Sequence, residues 1–441
     1  MNNSLTRKNV LYIAWPIILS NLSTPLLGMV DIAVIGNLGN PALIGAIAIG
    51  AIIFSFIYWG FGFLRMGTTG LIAQCRGAKD DNGTKAAFYR ALVLAVSIGL
   101  ILLLLQNVLA SLAFSVIDGS QAVEEAAATY FGIRIWTAPL SLTLLVVMGY
   151  LLGHQRSTTI LWIQLLLNGT NIALDFVFVT GFGWGVAGIA AATVIAEILT
   201  TGVGLYIVFR HMQSTYGNIA VPMSILKDAQ PILRTLSVNR DIMIRTLSLI
   251  FAFAWFTNQG AKSGDIMLAT NAILMQFVTF SAFFLDGYAL AAESLVGTAV
   301  GAKNRNHFDR TLRYINELGL VTATTLSVIF FMAGPVVIDL LTNVEEVRNT
   351  TKIYLLWAVA APVISLWCYL LDGVFIGATC TREMRNAMVF SLLAYLSAWH
   401  LLAPVFLNHG LWLSLHIYFI ARALTLWYCL PNVRALLGPK A

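Results

Sequence analysis

Charge is what this chain has least of. Only 10% of its 441 residues are Asp, Glu, Lys or Arg, where a soluble domain carries about a quarter, and that shortage excludes the aqueous globular class. Cysteine is also sparse: Cys75, Cys368, Cys380 and Cys429 have no C-x-x-C spacing and no adjacent histidine, so neither a disulfide framework nor a metal site is expected. No H-E-x-x-H run and no clustered nucleophile, base or metal ligands mark an intramembrane enzyme, and no cofactor is implied. A cleaved leader is not expected either. Basic residues do precede the first apolar run, but that run is too long, contains Asp31 and lacks a small-residue cleavage site.

What is present is apolar, at 59% of the chain. A membrane-crossing helix needs roughly 20 apolar residues. Cutting at polar and Gly/Pro-rich breaks leaves twelve such spans, at about 10–36, 42–75, 86–117, 122–153, 157–180, 185–211, 235–260, 264–301, 307–340, 346–377, 384–407 and 410–436. An all-α polytopic membrane protein in a lipid bilayer follows. The net charge of +6 does not indicate nucleic acid, because the basic residues are sorted by side. About eighteen Lys or Arg fall on the side of Arg7 and Arg434, and three (Lys262, Arg348 and Lys352) on the other. This bias puts both termini in the cytoplasm of a multi-pass inner-membrane protein.

The two halves share a plan. Gly77-Ala78-Lys79 ends span 2 as Gly301-Ala302-Lys303 ends span 8, and Gly149 and Gly153 of span 4 match Gly373 and Gly377 of span 10. With six spans per half, both halves start on the same side, so the repeats are parallel. Residues 1–211 are expected to form one six-helix lobe and 235–441 the other, joined by a polar cytoplasmic linker over 212–234.

Polar residues inside the spans mark where function is expected, since a carboxylate in the hydrocarbon region is costly. Gln164, Asn168, Asn171 and Asp175 recur at steps of four, three and four along span 5 and stack on one face. Asn21 and Asp31 lie on span 1, and Thr193 and Glu197 lie one turn apart on span 6. Asp31 and Asp175 both sit roughly 8–9 Å inside the outer boundary at 1.5 Å per residue. A pocket in the outer half of the first lobe is one reading of this set; interhelical hydrogen-bond glue is the other. A desolvated carboxyl can take a proton from the outer solution and release it when its surroundings change. Pro16 and Pro25 interrupt the hydrogen-bond ladder of span 1 and are candidate hinges, though a static kink is the ordinary explanation. The second lobe carries Arg240, Asp241, Asp286, Glu293, Asp372 and Arg422, read as a salt-bridge network. In it Asp241 pairs with Arg245, and Arg422 with Asp286 or Glu293.

Ala14-Trp15-Pro16 followed by Asn21 and Asp31, the Asn171/Asp175 pair and the duplicated six-helix plan resemble the multidrug and toxic compound extrusion (MATE) transporters. Asn239-Arg240-Asp241-Ile242, Leu370-Leu371-Asp372-Gly373 and Glu383-Met384-Arg385-Asn386 are similar to the DNA-damage-inducible (DinF-type) branch. The resemblance implies a V-shaped pair of bundles, expected as a monomer, that exports small organic cations or amphiphiles in exchange for H⁺ or Na⁺. It implies that Asp31 couples protons, that span 1 bends at Pro16, and that Asn171, Asp175 and Thr193 line the pocket. The sodium-using branch has a deep carboxylate on span 7, where this chain has only Asp241 at the cytoplasmic end, so protons are favoured. A lipid-linked precursor flippase and a Na⁺-coupled exporter are the alternatives.

Overall fold

The computed structural model describes residues 5–36, 41–115 and 120–437, and among them every regular element is helical. α1 (Arg7–Gly36) runs unbroken through Pro16 and Pro25. α2 (Pro41–Gly60) and α3 (Phe63–Gly77) are one span parted by a turn at Phe61 and Gly62. α4 (Asp81–Leu104) starts at Asp80, whose carboxylate accepts from the Gly83 N–H at 2.8 Å, and α5 (Gln106–Phe114) continues it past Leu105. α6 (Gln121–Arg134) passes through a 3₁₀ turn, Ile135–Thr137, into α7 (Ala138–Gly153). Pro139 falls in the first turn of α7, where its missing N–H costs nothing.

α8 (Ser157–Asp175) widens into a π-helical turn, Phe176–Gly181, and α9 (Gly185–Tyr216) stops at Gly217, which takes the left-handed φ of +75°. After α10 (Met223–Leu226) come α11 (Ala229–Lys262), α12 (Asp265–Gly301), α13 (Arg305–Leu341), α14 (Glu345–Gly377) and α15 (Thr381–Ala435). α15 is two helices end to end, broken where Leu407 adopts φ +51° and ψ −128°. The break is held by Asn408 beside it, whose side-chain amide exchanges hydrogen bonds with that of Asn271 at 2.8 and 3.0 Å. Among the described residues, nine stretches are long and apolar enough to cross a membrane. α1 and α11 are further long helices and Leu407 divides α15, which accounts for the twelve rods read from hydropathy.

The helices gather into two compact bodies. The first comprises Leu19–Cys75 and Asp80–Leu236; the second runs from Ser237 onward and also takes Arg76–Lys79 and the chain up to Ile18. The sequence puts all of 1–211 in the first lobe, so the start of α1 departs from that division. The physical reason is a missing side chain: Gly287 of α12 leaves room for Ile18 and the Ala14 carbonyl, where a Cβ would clash. The 212–234 stretch is also more ordered than a linker. Residues 217–226 lie as a strap across α4, where the buried Lys85 Nζ donates to Asn218 Oδ1 (2.9 Å) and to the Ala220 carbonyl (3.0 Å). The Tyr89 hydroxyl donates to the Ile219 carbonyl (2.9 Å), and Arg90 donates to the carbonyls of Ile225 and Leu226.

The repeated glycines make equivalent contacts in each body. A Cβ on Gly149 or Gly153 of α7 would strike Arg65, Thr68 or Ile72 of α3. One on Gly373 or Gly377 of α14 would land on the backbone carbonyl of Ala289 or Glu293 of α12. Small residues one turn apart let two backbones meet, which is how helices associate in a bilayer that offers no hydrophobic drive between them. Because the obstacle at Gly373 is main chain and cannot rotate away, Gly373→Ala is expected to destabilise the second body by about 1–3 kcal/mol. Gly202→Ala in α9, with nothing within 4 Å, is the matched control and should not lower the melting temperature of the purified protein. Equal melting of the two variants would remove this account of the interface.

Candidate functional site

In the first body, α8 presents its polar face inward, and each step along that face finds a different partner. Gln164 Nε2 donates to Asn168 Oδ1 at 3.0 Å. The Asn168 amide in turn donates to the hydroxyl and carbonyl of Ser23 on α1, at 3.0 and 3.2 Å. Asn168 thus joins α8 to α1, with Gln164 bracing it from the turn before. One turn on, the Asn171 amide is oriented so that its NH₂ donates to Asp175 Oδ2 at 3.2 Å while its carbonyl faces the N–H and hydroxyl of Thr193, both at 3.1 Å. Asp175 is fully buried, and its carboxyl is a hydrogen-bond neighbour of the half-buried Asp31 carboxyl on α1.

A hydrogen bond between two carboxyl groups requires that one of them keep its proton, since an ionised carboxylate only accepts. Each acid also has a buried oxygen, Oδ1, with no hydrogen-bond partner among the described residues. Among the described residues neither is ion-paired. The π-helical turn begins at the residue after Asp175, so the ladder is already loosened there; such widened turns recur at functional sites. Asn21 is half-buried on α1, one face of which runs on to Asp31.

Glu197 of α9 takes part in a second cluster. Its Oε2 accepts from the Ser141 hydroxyl on α7. Arg134 and the Tyr58 hydroxyl are its charged and polar neighbours. The Arg134 guanidinium lies over the Phe54 ring at 4.7 Å and donates to the Tyr130 hydroxyl at 2.8 Å, while its Nε is buried without an acceptor. Arg134 is also a charge neighbour of Asp31. One cation thus stands among the acids without being bonded to any of them. An aromatic face supports a guanidinium without neutralising it, so the cluster keeps its positive charge available.

The second body arranges its charges in the opposite way. Asp372 on α14 is buried and gripped by two guanidinium groups, Arg245 from α11 and Arg422 from α15. Arg422 Nε lies 3.3 Å from Asp372 Oδ1, and the Arg422 guanidinium faces the Tyr369 ring at 5.8 Å. The expectation places Arg422 on Asp286 or Glu293 and Arg245 on Asp241; both guanidinium groups bond Asp372. Asp241 instead takes Arg240 at 3.1 Å and Arg385 at 2.8 Å. Helical spacing puts Arg245 one turn from Asp241, but both acids are buried, and the packing of α11 against α14 sets Arg245 on Asp372 while α15 brings Arg385 to Asp241. Glu293 is buried and Asp286 half-buried on α12.

Residues 16–177 and 242–398 match the MatE family model, which covers both bodies. DNA damage-inducible protein F of Escherichia coli (strain K12) is 39% identical over 421 residues, spanning 95% of this chain and 91% of the relative. The chain belongs to the MatE family. Its members are transporters, not enzymes, and this one is an integral multi-pass membrane protein of the multidrug and toxin efflux type. "Probable multidrug resistance protein NorM" of Acinetobacter baylyi is 26% identical across 90% of this chain and 88% of its own length. Among solved structures, a MATE transporter in a bent conformation aligns with a TM-score of 0.88 at 20% identity, over 97% of this chain and 96% of that one. A second, described as outward-facing, gives 0.88 at 18% identity over 98% and 97%. At those identities the likeness establishes the fold.

For a MatE chain, the sequence reading of the first body omitted three members of the polar cluster: Arg134, Ser141 and the Tyr58 hydroxyl. Arg134 does carry a signal, being an ionisable residue inside the apolar 122–153 span. Ser141 and Tyr58 carried none. The Ser141 hydroxyl also bonds the Thr137 carbonyl one turn back at 3.2 Å, as a serine in a membrane helix commonly does, and only the fold shows which hydroxyls lie near Glu197.

Proposed function

We propose that this MatE transporter exports cationic or amphipathic organic compounds from the cytoplasm in exchange for protons carried by the Asp31–Asp175 pair. The observation that supports this reading best is the pair itself: the half-buried Asp31 and the buried Asp175 are neighbours, and among the described residues neither is ion-paired with an arginine. With a single shared proton the pair carries one negative charge and attracts a cation. A second proton, taken from the outer solution, removes that attraction and releases the solute. Proton release toward the cytoplasm then restores the starting state. Na⁺ is disfavoured as the coupling ion because the only carboxylate of α11, Asp241, lies toward its cytoplasmic end and is paired with Arg240 and Arg385, while Asp372 already holds two guanidinium groups.

The conformational step in this reading is a bend of α1 at Pro16. The helix is continuous there, but the proline leaves one carbonyl of the preceding turn without its N–H partner, so bending costs less at this point than elsewhere. MATE relatives have been crystallised in both bent and straight conformations. The transporter acts as a monomer in the inner membrane with both termini in the cytoplasm, following the distribution of its basic residues.

The test uses the purified protein in liposomes loaded with a fluorescent organic cation. Transport is expected to follow an imposed pH gradient, to collapse with a protonophore, and to ignore a Na⁺ gradient at constant pH. Transport driven by Na⁺ alone would overturn the assignment.

A further inference from the structure

At the basic end of the second body, α13, α14 and the last half of α15 enclose a cavity of about 420 Å³. Three arginines line it, Arg305, Arg313 and Arg434, against one acid, Asp309. Arg313 is bonded to Glu317 at 2.7 Å and Arg434 stands 3.8 Å from Asp309. Arg305 has no hydrogen-bond or ion-pair partner among the described residues, and its Nε is buried. A guanidinium presents a planar fork of donors that suits the oxygens of a phosphate, and here one such fork is unused.

The floor of the cavity is apolar. Trp367, Leu371 and Trp427 also line a second cavity of about 520 Å³, which runs deeper between α14 and α15 past Ile364, Leu424 and Ile420. The positions from Arg434 back to Ile420 cover about 21 Å of helix at 1.5 Å per residue. One leaflet of a bilayer is about 15 Å of hydrocarbon, half of a core about 30 Å thick. A cationic mouth above an apolar trough of that length has the outline of a phospholipid. A soluble anion would have no use for the trough.

The first body supplies an independent comparison. At the offset that aligns Gly77 with Gly301, Lys85 falls opposite Asp309 and Tyr89 opposite Arg313. In the first body that cleft is not open. The strap over 217–226 fills it, setting its own carbonyls on Lys85, Tyr89 and Arg90 and burying Lys85. A groove that one repeat closes with oxygen acceptors from the chain itself is open and richer in arginine in the other.

We infer that this cleft binds one anionic glycerophospholipid of the adjacent leaflet, its phosphate on Arg305 and Arg434 and one acyl chain along Trp367, Leu424 and Ile420. The site is separate from the acids of the first body, so its test does not depend on the coupling ion. Clusters of arginine at the membrane surface favour anionic over zwitterionic headgroups by roughly tenfold for one to two charges engaged. Full-length protein in detergent, titrated with phosphatidylglycerol or phosphatidylcholine and followed by native mass spectrometry, is expected to retain one phosphatidylglycerol with that preference. The Arg305→Gln/Arg434→Gln variant should lose the preference, and Leu424→Trp, which fills the trough and leaves the charges, should weaken retention of both lipids. Equal retention of the two lipids by the wild-type protein overturns the inference without recourse to any variant. So does displacement of bound phosphatidylglycerol by millimolar inorganic phosphate, which would mark a site for soluble anions.

Discussion

Asp31→Asn is expected to yield a folded, inserted transporter that no longer builds a solute gradient from a pH gradient. The amide is nearly isosteric with the acid and can still donate to Asp175, so the local geometry of α1 against α8 has little reason to change. What disappears is the second titratable group of the pair. A proton moving down one pH unit releases about 1.4 kcal/mol, so two units support roughly a hundredfold gradient of exported solute. A membrane potential of 100 mV contributes roughly 2.3 kcal/mol more per charge moved. The variant should lose that whole range, with cation accumulation in proteoliposomes falling to the level of protonophore-treated wild type. Gln164→Ala, which removes only a side-chain hydrogen bond within α8, should retain coupling. Undiminished pH-driven transport by Asp31→Asn would mean that the coupling proton sits elsewhere.

The second large effect is expected at Asp372, and there it is structural. Removing this acid leaves Arg245 and Arg422 buried side by side with no counter-charge. Breaking a buried ion pair by deleting one partner costs about 3–5 kcal/mol, most of it the desolvation of the charge left behind. Asp372→Asn should therefore lower the melting temperature of the purified protein sharply. Replacing all three residues together, as Asp372→Leu with Arg245→Met and Arg422→Met, should recover much of the loss, because no orphaned charge remains. If Asp372→Asn melts like wild type while transport fails, the triad serves transport and not the packing of the second body. The two aspartates thus differ in kind: Asp31 faces another acid, and Asp372 faces two bases.

Much of the architecture can be read from local sequence, because membrane helices must satisfy their backbone groups internally and must be apolar over a fixed length. Each span is recognisable by itself, and the Gly-Ala-Lys and Gly-x-x-x-Gly repeats report on the other half of the chain without any structure. The irregularities are less legible. The π-helical turn after Asp175, the left-handed Leu407 and the strap over 217–226 involve only a few residues each, and nothing in their composition sets them apart. The strap's polar composition reads as a linker, whereas most of its contacts to Lys85, Tyr89 and Arg90 come from backbone carbonyls that any residue carries, so its sequence does not announce them.

By itself the sequence determined that this is a helical membrane protein, that its halves are related, and that Asp31 and Asp175 lie at one depth. These properties depend on hydropathy and periodicity, which are written along the chain at short range. Only the tertiary structure decided the partners. It joined Asp31 to Asp175, brought Arg134 among the acids of the first body, and gave Asp372 both Arg245 and Arg422. Several acids lay within reach of each arginine on a helical wheel. Which pair forms is set by which helices pack side by side, because a charge interaction falls off with distance, and packing is a property of residues hundreds of positions apart.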